Sequence, residues 1–234
     1  MSESAVRSSL LLIGASRGLG YAMAEEFLNR GWNVVGTVRG DARTSLHDLA
    51  QRAAGRIEIE NVDITLPAQI AALRSRLATR KFDMLFVNAG VTNNPNERID
   101  EVTTEEFNRV MVTNALSPMR VLGALCELVA DDGTLGVMSS GVGSVSNNTN
   151  GGREVYRGSK AALNTLMRSF AARHSGERRA MILMAPGWVR TDMGGPDARL
   201  RIEDSIPNLV STLLAARGKP GLQYLDYLGR TVPW

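Results

Sequence analysis

The segment YRGSK, Tyr156 to Lys160, places a tyrosine four residues ahead of a lysine, just behind a loop rich in glycine and asparagine. Residues at i and i+4 share one face of a helix, so this phenol and this ammonium are expected to point into the same space. A cation beside a phenol favours the phenolate of a group that ordinarily titrates near about 10. Such pairing would lower the Tyr156 pKa and turn the residue into a usable general acid. Two adjacent serines, Ser139 and Ser140, end the apolar run before the loop, and Ser144 follows within it.

Other residues suit a phosphate. GASRGLG, Gly14 to Gly20, lies between a strand-like apolar run and an amphipathic helix pattern. Glycines there let the backbone turn sharply and approach a pyrophosphate, whose charge is favoured at a helix N-terminus with its unpaired N–H groups. The spacing is G-x-x-x-G-x-G, and its place between strand and helix says more than the pattern alone. A glycine turn without a ligand is the alternative. After the second apolar run, TVRGD carries Arg39 where an acidic residue would select a cofactor lacking a 2′-phosphate. Arg39, with Arg17 of the glycine turn, can grip a 2′-phosphate, so NADP is expected rather than NAD. Two solvated loop arginines are the alternative, and Asp41 keeps it open. Asp63 ends the third run, either against an adenine ring or in a turn of its own making. NAG, Asn88 to Gly90, offers a glycine for close approach to a cofactor and an amide to tie strand ends together. Asn114, in an apolar helical segment spanning Thr104 to Ala130, needs partners for its amide; a local kink supported by Pro118 is the other account.

These residues have to be positioned by regular elements. SLLLI, NVVGTV, RIEIENV, FDMLFV, TLGVMS, AMILMA and LQYLDY read as strands separated by helix-length amphipathic segments. Continuously apolar runs suit strands covered on both faces, and the alternation implies an α/β, doubly wound, mostly parallel sheet of seven strands. Gly31 fits a left-handed C-cap position after the first helix, and Pro67 a first helical turn. In such sheets ligands bind beyond the carboxyl ends of the strands, where every motif above falls. No linker or repeat marks a boundary, so residues 1–234 are read as one domain.

Composition limits the function classes. Of 234 residues 44% are apolar, enough for a substantial core, and 27 basic against 24 acidic side chains leave a net charge of +3, which does not by itself indicate nucleic acid. The densest basic run, RHSGERR from Arg173 to Arg179, has no interleaved aromatic residue and reads as a solvated helix end and turn. One cysteine, Cys126, excludes an internal disulfide and reads as a small core residue, while His47 and His174 lack neighbours for a metal site. The amino-terminal apolar run is too short for a signal peptide, and no run reaches a membrane span. A soluble, cytoplasmic protein is expected.

GASRGLG, NAG, Asn114, the serine pair, YRGSK and PGWVRTDMGG occur in the order shown by short-chain dehydrogenases/reductases, and the resemblance covers essentially the whole chain. Within that family the chain most resembles the carbonyl reductases of the C-factor and sniffer type. The resemblance implies a Rossmann-type fold and an NADP(H)-dependent reaction interconverting a carbonyl and an alcohol. Tyr156 would be the acid/base, and Lys160 would lower its pKa and bind the nicotinamide ribose. Ser140 would hydrogen-bond the substrate carbonyl, and Asn114 would hold a water behind Lys160. Cofactor contacts would come from Gly14, Ser16, Arg17, Gly18, Leu19 and Gly20, from Arg39, and from Asp63 and Ile64. Asn88, Ala89 and Gly90 would add to them, and Pro186, Gly187, Val189 and Thr191 would border the nicotinamide. The resemblance also implies a homodimer or homotetramer, with the helices over Thr104 to Ala130 and Glu154 to His174 pairing across a two-fold axis. Two departures stand out. Ile13 occupies the place of a threonine that usually bonds the neighbouring strand, and the usual serine-to-tyrosine distance lands on Gly143, which leaves Ser140 as the choice over Ser139 and Ser144. A regulatory or signalling protein that binds NADP(H) with vestigial turnover is the rival reading.

Overall fold

A computed structural model describes residues 7–234; residues 1–6, part of the stretch judged too short for a signal peptide, lie outside the described residues. Strands β1 (Ser9–Ile13), β2 (Asn33–Val38), β3 (Ile57–Asn61), β4 (Phe82–Val87), β5 (Val129–Met138), β6 (Ala180–Ala185) and β7 (Gly221–Asp226) form one sheet in the order β3-β2-β1-β4-β5-β6-β7. All six neighbouring pairs are parallel. The order reverses between β1 and β4, whose registered residues include Leu12 with Phe86 and Ile13 with Val87. Neither strand's following connection crosses this point, so a crevice opens beyond their carboxyl ends.

Period-two alternation explains how one run of apolar residues serves two cores. Leu11 and Ile13 face a layer built with Leu73, Leu125, Leu163 and Met167 from helices α3 (Pro67–Arg76), α5 (Ser117–Leu125) and α6 (Glu154–Arg173). Leu10 and Leu12 face the opposite layer, with Met23, Phe27, Leu46, Leu209 and Leu213 from α1 (Gly18–Asn29), α2 (Ser45–Arg52) and α7 (Ile202–Ala216). Gly31 adopts φ 84° after α1, and Pro67 opens α3, as their types suggest.

The segment expected as one helix over Thr104 to Ala130 is divided. Helix α4 covers Thr104–Met111, a π-helical turn covers Val112–Leu116, and α5 ends before a 3₁₀ turn at Cys126–Leu128; Val129 and Ala130 already belong to β5. Thr103 caps α4 by accepting a bond from the Glu106 N–H at 3.1 Å. Pro118 has no N–H to give the Asn114 carbonyl four residues earlier, which favours a wider turn at this point. The basic run is, from Arg173 to Arg178, the partly exposed helix end and turn its composition suggests, and only its last residue, Arg179, departs from that reading. Arg179 is only 9% exposed and ties β5 in place, donating to the Ala130 and Val129 carbonyls and pairing with Glu177. Among the described residues, no helix is long and apolar enough to cross a membrane.

Candidate active site

At the end of β1 the chain makes the glycine turn. Gly14 has φ 86°, and a Cβ there would stand 2.8 Å from the Ala89 nitrogen, so the turn and the end of β4 can meet only through glycine. The Asn88 amide donates to the Gly14 carbonyl at 2.8 Å, joining the two strand ends as its residue type suggested. The hydroxyl missing at Ile13 is supplied from across the sheet: Thr37 of β2 accepts the Gly14 N–H at 2.9 Å. Gly18, Leu19 and Gly20 form the first turn of α1, after Ser16 and Arg17. That helix has no side-chain cap and no acidic residue in its first turn, so its positive end is left for an anion.

The loop after β2 is held by Asn61, which accepts the Gly40 N–H at 3.1 Å and donates to Asp41 at 3.1 Å. Arg39 projects there, exposed and, among the described residues, outside any hydrogen bond or ion pair. Arg17 instead pairs with Asp192 at 3.0 Å, across the mouth of the crevice, with both side chains largely exposed. A surface pair of this kind contributes little energy and can be exchanged. Asp63 makes its own turn, accepting from the Thr65 N–H and hydroxyl at 2.9 and 2.7 Å. Burial acts to raise its pKa, but the Thr65 bonds and the Arg39 charge outweigh it and hold the carboxyl below its ordinary value. Ile64 lies with its side chain in the apolar layer, so only its main chain is left for a ligand.

Three serines were candidates, and their partners separate them. Ser139 is buried and donates to Asn164 at 2.6 Å; Ser144 is buried and bonds the Trp234 carbonyl. The Ser140 hydroxyl accepts a long 3.4 Å bond from the Val142 N–H and faces the Tyr156 phenol, while the Tyr224 hydroxyl holds its carbonyl from β7. Ser140 is therefore the one of the three serines whose hydroxyl neither the Asn164 amide nor the Trp234 carbonyl claims.

Tyr156 lies in the first turn of α6 with Lys160 one turn later, the ammonium nitrogen 5.8 Å from the phenol ring centre. The amine is 3% exposed and donates to the Met138 carbonyl at 2.9 Å. Burial pushes it down to about 8. The expected lowering of the Tyr156 pKa by Lys160 is corrected here. Burial pushes the phenol up, opposed by the Ser140 hydroxyl and then by the Arg153 guanidinium, while Lys160 is turned toward the strand carbonyl.

Asn114 is fully buried and locked by its side chain. Its amide donates to the Val91 carbonyl at 2.8 Å and the Ser159 hydroxyl at 3.0 Å, and its oxygen accepts the Val91 N–H at 2.8 Å. Ser159 passes the connection to the Tyr156 carbonyl at 2.7 Å. A Cβ on Gly90 would come within 3.5 Å of both the Asn114 oxygen and the Lys160 nitrogen, so glycine keeps this space open. Beyond β6 come Pro186 and Gly187, then Val189, buried and bridged to Leu200, and Thr191, which accepts the Gly194 N–H at 3.1 Å. Trp188 and Met193 are exposed on the same loop.

The predicted residues thus meet along one edge of the sheet. A surface cleft of about 450 Å³ lies at the opposite, amino-terminal edge, walled by Arg74, Arg80, Lys81, Glu127, Asp131 and Arg179. Its charges pair with one another or with neighbours such as Glu58, which accounts for them structurally. The profile of the family described as Enoyl-(Acyl carrier protein) reductase matches residues 14–207, the stretch carrying nearly all of these groups. The chain belongs to the short-chain dehydrogenases/reductases.

Relatives within that family are close in shape. A Burkholderia multivorans structure described as a short-chain dehydrogenase/reductase with bound NADP is 61% identical, with TM-score 0.97, covering 98% of this chain and 100% of its own. A Pseudomonas aeruginosa PAO1 carbonyl reductase in complex with NADP is 33% identical, with TM-score 0.90 and coverage of 98% and 100%. The Myxococcus xanthus protein named C-signal is 35% identical over 165 residues, 70% of this chain and 99% of its own. Sequence reasoning about this short-chain dehydrogenase/reductase passed over Thr37, Ser159, Asn164, Tyr224 and Arg153. Thr37, Asn164 and Tyr224 act through partners far away in sequence, and Ser159, inside YRGSK, bonds both the Tyr156 carbonyl three residues earlier and the distant Asn114. Arg153 had a local signal, a large side chain directly after two glycines.

Proposed function

We propose that the protein is an NADP(H)-dependent oxidoreductase that interconverts an aldehyde or ketone and an alcohol, acting as a reductase with Tyr156 as the acid/base. The observation that carries this reading is the meeting of a hydroxyl that neither Asn164 nor Trp234 claims, Ser140, with Tyr156 and the buried Lys160 beside the crevice at the β1/β4 reversal. NADP suits the chain's own residues. The uncapped start of α1 fits a pyrophosphate, and the unpaired Arg39 fits a 2′-phosphate at a place with no ribose-binding acid.

When bound, the cofactor supplies or accepts the hydride. Ser140 donates a hydrogen bond to the substrate carbonyl oxygen and orients it. Tyr156 gives its proton to that oxygen as the carbonyl carbon is reduced, and takes a proton back in the reverse direction. A tyrosine phenol is protonated at neutral pH, so Tyr156 has the proton that reduction requires. Lys160, held by Met138 one turn behind the phenol, would hold the nicotinamide ribose beside Tyr156. Asn114 spends its side chain on Val91 and Ser159, so its main-chain carbonyl, denied a donor by Pro118, is the group it can offer a water. Exposed Phe107, Leu116 and Leu166 on the α4 to α6 face support a homodimer or homotetramer.

The C-signal relative favours a second reading, an NADP(H)-binding regulatory or signalling protein with little turnover. Tyr156→Phe separates the two. Folding and cofactor affinity should persist, while turnover of a screened aldehyde, ketone or quinone falls at least about 100-fold, the loss typical of one general acid. Activity within a few-fold of wild type would overturn the assigned mechanism.

A further inference from the structure

The backbone before α6 does something costly for a side chain. Gly151, Gly152 and Arg153 have φ 63°, 71° and 54°, three left-handed residues in succession, and only the third carries a Cβ. Arg157 fastens this turn by donating to the Gly152 carbonyl at 2.8 Å. A glycine or asparagine would adopt the Arg153 conformation with less strain, so an arginine here points to a use for its side chain rather than to the turn.

The guanidinium occupies a functional position. Its central carbon lies 5.5 Å from the Tyr156 ring centre, over the proposed proton donor. One terminal nitrogen makes a long 3.5 Å bond to the Met193 carbonyl, and Arg153 thereby bridges the start of α6 and the loop after β6 that carries Trp188. Its Nε is buried with no hydrogen-bond partner, and among the described residues no carboxylate pairs with it. A buried donor of a permanent cation left without an acceptor is expensive, and a guanidinium presents its donors as a planar fork matched to a carboxylate. Arg17, the other arginine at the crevice mouth, is already matched with Asp192.

We propose that Arg153 is a specificity-determining residue that binds a carboxylate on the substrate, so that the preferred substrates are carbonyl compounds that also carry an acid group, oxo acids rather than neutral aldehydes or ketones. The proposal rests on the carbonyl-reducing reading above. The substrate carbonyl is held by Ser140 and Tyr156 while its carboxylate pairs with the terminal nitrogens of Arg153 in place of the long Met193 bond, between α6 and the loop of Trp188 and Met193. The acid group both anchors the molecule and neutralises the cation over the phenol.

The test compares a series of oxo acids of increasing chain length with their methyl esters, measuring kcat/KM with NADPH for wild type, Arg153→Asn and Arg153→Lys. Asparagine tolerates the left-handed backbone better than arginine does, so Arg153→Asn should melt near the wild-type temperature. Wild type should prefer the acid of at least one pair. Arg153→Asn should reduce that acid-to-ester ratio by roughly ten- to a hundredfold, mainly through KM, and Arg153→Lys should restore part of it. Equal losses on acid and ester, with a shifted pH profile, would mean that Arg153 acts on Tyr156 instead and would overturn the proposal. Equal wild-type efficiency on acid and ester across all pairs would overturn it while leaving the carbonyl reductase reading intact. No turnover with any pair would overturn the proposal, and turnover of a neutral aldehyde or quinone in the same assay would leave the carbonyl reductase reading standing.

Discussion

Replacing Lys160 by methionine is expected to change how stability depends on pH as well as to abolish turnover. The amine is 3% exposed, and its hydrogen-bond partner is the Met138 carbonyl. Burial takes it from 10.5 down to about 8. That drop corresponds to on the order of 3 kcal/mol, at about 1.4 kcal/mol per tenfold. The sign depends on which state holds the proton. Below a pH of about 8 the amine is charged in both folded and unfolded protein, and the folded state carries the whole penalty. As pH rises from about 8 toward 10.5 the folded protein releases its proton first, so stability grows until the penalty is gone. Methionine approximates the lysine stem and carries no proton at any pH. The bond lost to Met138 shifts the variant's absolute stability, whereas the change with pH reports the charge. Urea unfolding at fixed protein concentration, followed by tryptophan fluorescence at several pH values from neutral to about 10, should show wild type gaining about 2–3 kcal/mol relative to Lys160→Met. Two curves that run parallel over this range would refute the reasoning, because the amine would then titrate alike in both states.

Three further outcomes follow from particular contacts. Thr37→Val leaves the Gly14 N–H without its acceptor and should cost about 1–3 kcal/mol, read as a lowered urea midpoint, together with weaker NADPH binding. Thr37→Ser should stay near wild type in both measurements. Arg39→Ala should lower kcat/KM with NADPH by roughly ten- to a hundredfold and leave NADH little affected; equal losses with both would make Arg39 structural. Light scattering should give a multiple of 25.3 kDa, and Leu166→Glu, on the exposed face of α6, should shift the protein toward the single-chain mass.

Local patterns in the sequence were enough to reveal the parallel α/β architecture, the glycine turn after β1, the Asn88 tie between strand ends and the placement of Tyr156 and Lys160 one helical turn apart. Each depends on forces acting over a few residues: alternation of apolar side chains, the left-handed reach of glycine, or the 3.6-residue repeat of a helix. Packing between distant segments decided the rest. Asn164 removed Ser139 from consideration, and the Trp234 carbonyl occupied Ser144, leaving Ser140. Thr37 replaced the hydroxyl absent at Ile13 from across the sheet, and Asp192 drew Arg17 away from Arg39. The segment from Thr104 to Ala130 looked like one helix because its apolar spacing is helical. The tertiary bonds of Asn114 to Val91 and Ser159, with Pro118 withholding a donor, favour the π turn within it, and the pairing of Val129 with Phe82 takes its end into the sheet. The Tyr156 pKa was misjudged for the same reason. Sequence spacing sets which groups are neighbours, but burial sets how strongly each charge is penalised, and burial exists only once the strands and helices have closed over it.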